Sequence, residues 1–177
     1  KLDRFILDIL SHSKNLNAPV EYERVNLKAV VDSCYEELKY LPGSEQVGVK
    51  VVADAATPFV SDKLRITNII KNLLSNSIKY RNRENRNHEV YIRLKHTGQI
   101  VELLYKDNGT GIEKKMLPRI FDMFFRGNDI AEGAGIGLYI VKRAVEKLDG
   151  QIKVESMHNV GTTFTISLPG LDLSEGI

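Results

Sequence analysis

Apolar residues recur along this chain in two rhythms, the spacing of helices and the alternation of strands. Ile66, Ile69, Ile70, Leu73, Leu74 and Ile78 fall three or four apart and predict a core-facing stripe on a helix that runs to Tyr80. Asp62 or Ser61 is its expected N-cap. Val25 to Tyr40 reads as a second helical segment, stopped by Pro42 and Gly43. Gly135 to Leu148 reads as a third, with Ile136, Ile140, Ala144 and Leu148 turned to the core. Val47 to Ala53 alternates like a strand, and Pro58 to Asp62 leads into the first helix named. Glu89 to His96 and Gln99 to Lys106 alternate and are joined around Thr97-Gly98, a hairpin signal. Gln151 to Glu155 and Thr162 to Leu168 flank an Asn159-Val160-Gly161 turn. Such elements imply an α/β (α+β) two-layer sandwich, with a mixed, mostly antiparallel sheet packed on helices.

At the start of the chain Leu2, Phe5, Ile6, Ile9 and Leu10 form a heptad-like seam ending near Ser13. No initiator Met and no N-cap precede it, as expected of a helix continued from a longer protein. The expected organisation is residues 1–14 as the end of that helix, 15–24 as a linker, 25–170 as one domain and 171–177 as a tail.

Composition narrows the class. Among 177 residues, 25 basic and 23 acidic side chains leave a net charge of +2, against a dedicated nucleic-acid or membrane-surface binder. Lys79, Arg81, Arg83 and Arg86 cluster, but Asn and Glu interleave them as in a solvated loop. No apolar run reaches the roughly 18 residues of a membrane span, and there is no signal peptide. The single Cys34, on a helical pattern with Val30 and Val31, reads as core. A soluble chain in a reducing compartment is expected.

The chemistry begins on the polar side of the helix ending at Tyr80. Asn68, Asn72 and Asn76 recur every four residues, which stacks three carboxamides on one face. Asn is a mediocre helix former, so propensity does not explain the series. An amide oxygen suits Mg²⁺, and the ammonium of Lys79 one turn on suits phosphate. Further along, Asp107-Asn108-Gly109-Thr110-Gly111-Ile112 breaks a strand with a glycine-bracketed turn. Next come Ile120-Phe121-Asp122-Met123-Phe124-Phe125-Arg126-Gly127 and Gly133-Ala134-Gly135-Ile136-Gly137-Leu138, which opens a helix. Free N–H groups at a helix start favour phosphate. A dinucleotide-binding fingerprint fails here, because its third glycine would fall on Leu138 and a polar loop, not a strand, precedes Gly133.

These four motifs, in this order over roughly residues 25 to 170, closely resemble the catalytic ATP-binding domain of sensor histidine kinases. The resemblance implies a Bergerat-type ATP-binding fold and a cofactor set of ATP and Mg²⁺. It makes Asn76 the Mg²⁺ ligand with Asn72 supporting it, Lys79 a phosphate contact and Tyr80 a side chain near the adenine. It makes Asp107 the residue that reads the adenine amino group. Gly109, Gly111 and Ile112 then line the base, while Gly133, Gly135, Ile136, Gly137 and Leu138 take the phosphates. The segment from Ile112 to Ala134 becomes a lid, its Phe residues either packing in the core or touching the ligand, and Arg126 reaching toward phosphate or a partner helix. Departures are mild: Ile136 stands for a more frequent Leu, Ser77 for a more frequent Ala, and the lid is short.

The wider superfamily contains hydrolases, gyrase among them, that carry a Glu one turn before the metal-binding Asn to activate water. Here that place is Asn72, which cannot accept a proton. A histidine acceptor fits, since neutral imidazole already offers a lone pair. Implied partners are the dimerisation hairpin of a homodimeric parent and a response-regulator receiver domain, in the cytoplasm, with no nucleic acid. His12, His88, His96 and His158 do not resemble a phosphoacceptor, and each reads as a surface residue, so the acceptor is expected upstream. The alternative is a module of the same fold acting as an ATPase or a non-catalytic scaffold.

Overall fold

The computed structural model describes residues 18–53, 58–82, 87–127 and 134–171. The seam over residues 1–14, the loop arginines Arg83 and Arg86, Gly133 and the 172–177 tail lie outside the described residues. In chain order the elements are β1 (Glu23–Arg24), α1 (Leu27–Leu38), β2 (Val47–Ala53), β3 (Val60–Ser61), α2 (Lys63–Lys79), β4 (His88–Thr97), β5 (Ile100–Asp107), α3 (Gly137–Lys147), β6 (Gln151–Met157) and β7 (Gly161–Pro169).

Five strands form one sheet in the order β2-β4-β5-β7-β6. β2 and β4 run parallel, and every other neighbouring pair is antiparallel. A parallel pair needs a crossover, and α2 supplies it between β2 and β4. Alternation along the strands sends Val90, Ile92, Leu94, Val101, Leu103, Tyr105, Phe164, Ile166 and Leu168 into the core. The six apolar residues expected on α2 are all buried there, from Ile66 to Ile78. Each such side chain contributes about 1.5–3 kcal/mol of transfer free energy, so this stripe holds α2 to the sheet. Cys34 is buried on α1, as its pattern implies. The result is a two-layer sandwich with helices on one face.

Element ends differ from the sequence reading by a few residues, each for a visible reason. α1 starts at Leu27, because Val25 N–H is taken by Phe59 O at 2.7 Å and Asn26 caps the helix by accepting from Ala29 N–H at 3.0 Å. Glu23 and Arg24, expected in a linker, pair instead with Val60 and Ser61 as a small ribbon. α3 starts at Gly137 rather than Gly135, whose φ of 69° is left-handed. β5 continues through Asp107, which lies opposite Thr162 of β7.

The start of α2 is anchored more firmly than a surface helix needs. Asp62 is the N-cap, accepting from Arg65 N–H at 2.9 Å, and its other oxygen is ion-paired with the Arg65 guanidinium. Arg65 is 1% exposed, and it also donates to Ala18 O at 2.5 Å and Pro19 O at 3.3 Å. Glu21 N–H donates to Asp62 at 3.0 Å. The chain that precedes α1 is therefore tied to the helix that carries the amides.

Candidate functional site

The amide face of α2 meets the first turn of α3. Asn72 donates its Nδ2 to Asn68 O at 2.8 Å, one turn earlier, which fixes the orientation of its carboxamide. Its oxygen then points at α3: a Cβ on Gly137 would lie 3.0 Å from Asn72 Oδ1 and 4.0 Å from Asn76 Oδ1. Two neutral oxygens thus converge on a glycine at a helix start that has no side-chain cap. Uncapped first-turn N–H groups and hard amide oxygens together suit a phosphate chain carrying a divalent cation.

At the other end of α2, Lys79 closes the last turn and Tyr80 is the C-cap, its N–H bonded to Asn76 O at 2.8 Å. The Tyr80 carbonyl accepts from Thr110 N–H at 2.9 Å and from the Thr110 hydroxyl at 3.2 Å, docking the glycine-bracketed turn onto the helix. Gly109 is required by this contact, since a Cβ there would stand 2.7 Å from Tyr80 O. Burial pushes the Tyr80 phenol up, and the Arg126 guanidinium pulls it down.

Asp107 sits at the end of β5 beside this turn. One carboxylate oxygen accepts from Gly109 N–H at 2.8 Å, and the other from the Ser77 hydroxyl at 3.2 Å. Burial pushes its pKa up; the Gly109 amide, Ser77, His88 and the Thr162 backbone pull it back. Asn108, by contrast, is structural, bonding Glu89 N–H at 2.8 Å and Asn87 O at 2.9 Å. Gly111, at φ 64°, packs where a Cβ would meet Met157 O at 2.0 Å. Ile112 N–H is held by Ser156 Oγ at 2.8 Å, and Asn159 N–H by Thr110 O at 2.6 Å. The turn is therefore clamped between α2 and the β6–β7 connection.

Between Ile112 and Gly127, Phe121 and Phe125 pack against the core while Phe124 is exposed with a left-handed φ of 67°. Gly135 lies against the Phe124–Phe125 backbone, a Cβ there falling 2.8 Å from Phe125 O. Ile136, Gly137 and Leu138 follow at the start of α3, half-buried. Of the residues expected in the site, Asn72, Asn76 and Gly137 form one group. Tyr80, Asp107, Gly109 and Gly111 form another around the glycine turn.

One expectation is overturned. His88 is not a surface residue: it is 2% exposed, because it is the first residue of β4 and turns inward beside Gly109. Neither ring nitrogen makes a well-aligned hydrogen bond among the described residues. Burial lowers its pKa, with Asp107 and the Ser77 backbone opposing. His96 is half-buried, its ring nitrogens also unpaired, and His158 is exposed. Ser77, Tyr105, His88 and Ser156 were not singled out by sequence reading as site residues. The available signal was a hydroxyl or imidazole at a position whose periodicity calls for an apolar side chain.

A sheet backed by helices, with an amide-faced helix, a strand-end carboxylate and a glycine-led helix start, defines an ATP-binding domain of the ATPase type. The chain belongs to the histidine kinase-, DNA gyrase B- and HSP90-like ATPase family, which it matches over residues 61–171, and within it is a catalytic ATP-binding domain of the sensor histidine kinase kind. It is 30% identical over 164 residues to sensor histidine kinase YvrG of Bacillus subtilis, covering 90% of this chain and 28% of that protein. It is 37% identical over 124 residues to sensor protein RprX of Bacteroides fragilis, covering 66% of this chain and 23% of that protein. The structure of a mycobacterial sensor histidine kinase, MprB, superposes with a TM-score of 0.68 at 27% identity, covering 85% of this chain and 98% of that one. The chain thus spans about a quarter of the length of these two sequence relatives.

Proposed function

We propose that this chain binds Mg·ATP and donates the γ-phosphoryl group to a histidine outside its own 177 residues, for relay to an aspartate of a response regulator. Residues 25–170 are the catalytic unit, working in the cytoplasm within a homodimeric parent whose dimerisation hairpin presents the acceptor. No helix among the described residues is long and apolar enough to cross a membrane.

The observation that carries the reading is the Asp107 carboxylate, whose two oxygens accept from Gly109 N–H and Ser77 at the mouth of a glycine turn. A carboxylate in that state accepts an adenine amino hydrogen and repels the oxygen that guanine carries there. Asn76 holds Mg²⁺, with Asn72 orienting the same site, and Lys79 and Arg126 neutralise phosphate. Gly135, Ile136, Gly137 and Leu138 present backbone to the phosphates. Bound Mg²⁺ supplies charge neutralisation on the transferring phosphoryl group. Asn72 carries no base to activate water, and its amide is committed to Asn68 O, which favours transfer to imidazole over hydrolysis.

The test is calorimetric titration with a non-hydrolysable ATP analogue, with and without Mg²⁺, alongside a GTP analogue and the Asp107→Asn variant. Adenine-selective, Mg²⁺-enhanced binding that drops about a hundredfold in the variant is expected, equivalent to about 3 kcal/mol. Equal binding of both purines, or an unaffected variant, would overturn the assignment. The isolated chain should form no stable phosphohistidine.

A further inference from the structure

Behind the Asp107 carboxylate, two further polar groups stand in line. Tyr105, two residues earlier on β5, is fully buried, and its hydroxyl lies 2.9 Å from Ser77 Oγ. Ser77, 3% exposed on the core side of α2, lies 3.2 Å from Asp107 Oδ2. Both occupy places that periodicity assigns to apolar side chains: Ser77 follows Leu73 by one turn, and Tyr105 follows Val101 and Leu103 on the inward face. A hydroxyl buried without a partner costs free energy, and here each of the two is satisfied within the line that ends on the acid.

Counting protons gives the line a direction. An ionised carboxylate can only accept, so the single Ser77 proton goes to Asp107 and the Tyr105 hydroxyl donates to Ser77. Burial pushes the Tyr105 phenol well up, so it keeps its proton. The other Asp107 oxygen takes Gly109 N–H at 2.8 Å. The Thr162 backbone also donates to this carboxylate. Its two oxygens together offer about four acceptor directions, so capacity is left for a ligand. A protonated carboxyl, by contrast, could donate to the carbonyl of a 6-oxo purine, and discrimination would be lost.

We propose that Ser77 and Tyr105 are positioning residues that hold Asp107 as a pure acceptor and thereby set selectivity for a 6-amino over a 6-oxo purine. This rests on the nucleotide reading above. The groups facing Asp107 are the Ser77 hydroxyl, the Gly109 amide, the Thr162 backbone and His88, with Arg81 acting on His88 from beyond. Burial lowers the His88 pKa, which disfavours a cation beside the carboxylate. The Gly109 amide and the Ser77 hydroxyl, which Tyr105 holds in place, oppose the burial that raises the Asp107 pKa.

The experiment follows the Asp107 carboxyl carbon by NMR through a pH titration, in the wild-type chain and in Ser77→Ala, Ser77→Thr and Tyr105→Phe. Affinities for non-hydrolysable ATP and ITP analogues are measured on the same four proteins. Ser77→Ala is expected to raise the Asp107 midpoint and cut the adenine-to-hypoxanthine affinity ratio about tenfold. Tyr105→Phe should move both in the same direction by less, and Ser77→Thr should restore both. An unchanged midpoint and ratio in Ser77→Ala, with wild-type selectivity intact, would overturn this inference alone. A wild-type chain that bound neither analogue would overturn the nucleotide reading and the selectivity with it.

Discussion

Asn72 Oδ1 stands 3.0 Å from the point that a Cβ on Gly137 would occupy, which makes the amide of one helix the wall against which the next helix begins. Alanine at 137 would favour the helix by up to about 1 kcal/mol. It would also displace an amide committed to Asn68 O, forfeiting a hydrogen bond of about 1 kcal/mol. Gly137→Ala is therefore expected to leave stability within about 1 kcal/mol of wild type while weakening ATP-analogue binding about tenfold. In an Asn72→Ala background the obstruction is gone, and Gly137→Ala should become stabilising. A double-mutant cycle by urea unfolding should show coupling of at least about 0.5 kcal/mol; additive effects would refute the contact.

The buried Asp62–Arg65 pair yields a second expectation. Arg65→Met leaves Asp62 charged and buried, and should cost about 3–5 kcal/mol in chemical unfolding. Adding Asp62→Asn should recover most of that loss, since asparagine still caps α2 and no charge remains unpaired. If the double variant were no more stable than the single one, the loss would belong to packing around Arg65 and not to its charge.

His88 should make the domain sensitive to mild acid. Its folded pKa is lowered, chiefly by burial, from an unfolded value of about 6.5. As pH falls through that value the unfolded chain takes up the proton first, so the His88 contribution is present above about 6.5 and lost toward the folded pKa. Asp107, with its folded pKa raised by burial, contributes with the opposite sign, its share being lost as pH rises through that pKa. Urea midpoints should fall between pH 7.5 and 5.5, and His88→Phe should flatten the fall. A wild-type midpoint independent of pH across that window would rule the effect out.

Cys34 should be chemically silent in the native chain. It is 1% exposed, its Sγ lies 3.7 Å from Thr67 O, and burial pushes its thiol up to about 11. Thiolate is the reactive form, so a colorimetric disulfide reagent at pH 8 should label it only as fast as the chain unfolds. Rapid stoichiometric labelling of folded protein would place Cys34 outside the core.

Much of this protein is legible in its residues because much of it is local. The stripe from Ile66 to Ile78, the amides at Asn68, Asn72 and Asn76, and the alternation across β4 and β5 need only helix and strand periods to be read. Asp107 with its glycines, and the glycines ahead of α3, are short-range turn chemistry, and their order pointed to the family. What the sequence by itself determined is therefore the set of elements, the face each one buries and the residue types available to a nucleotide.

The tertiary structure alone decided who meets whom. His88 looks like a strand-flanking surface residue until β4 turns it against Gly109, 21 positions away. Ser77 reads as a small residue on a helix until β5 brings Tyr105 and Asp107 to it, and Ser156 reads as strand filler until Ile112 donates to it. Arg65 reaches back 47 positions to Ala18, which no local rule anticipates. Such contacts depend on the register and packing of whole elements, which are set by burial summed over the core. Periodicity names the buried face of an element but not the atom across from it.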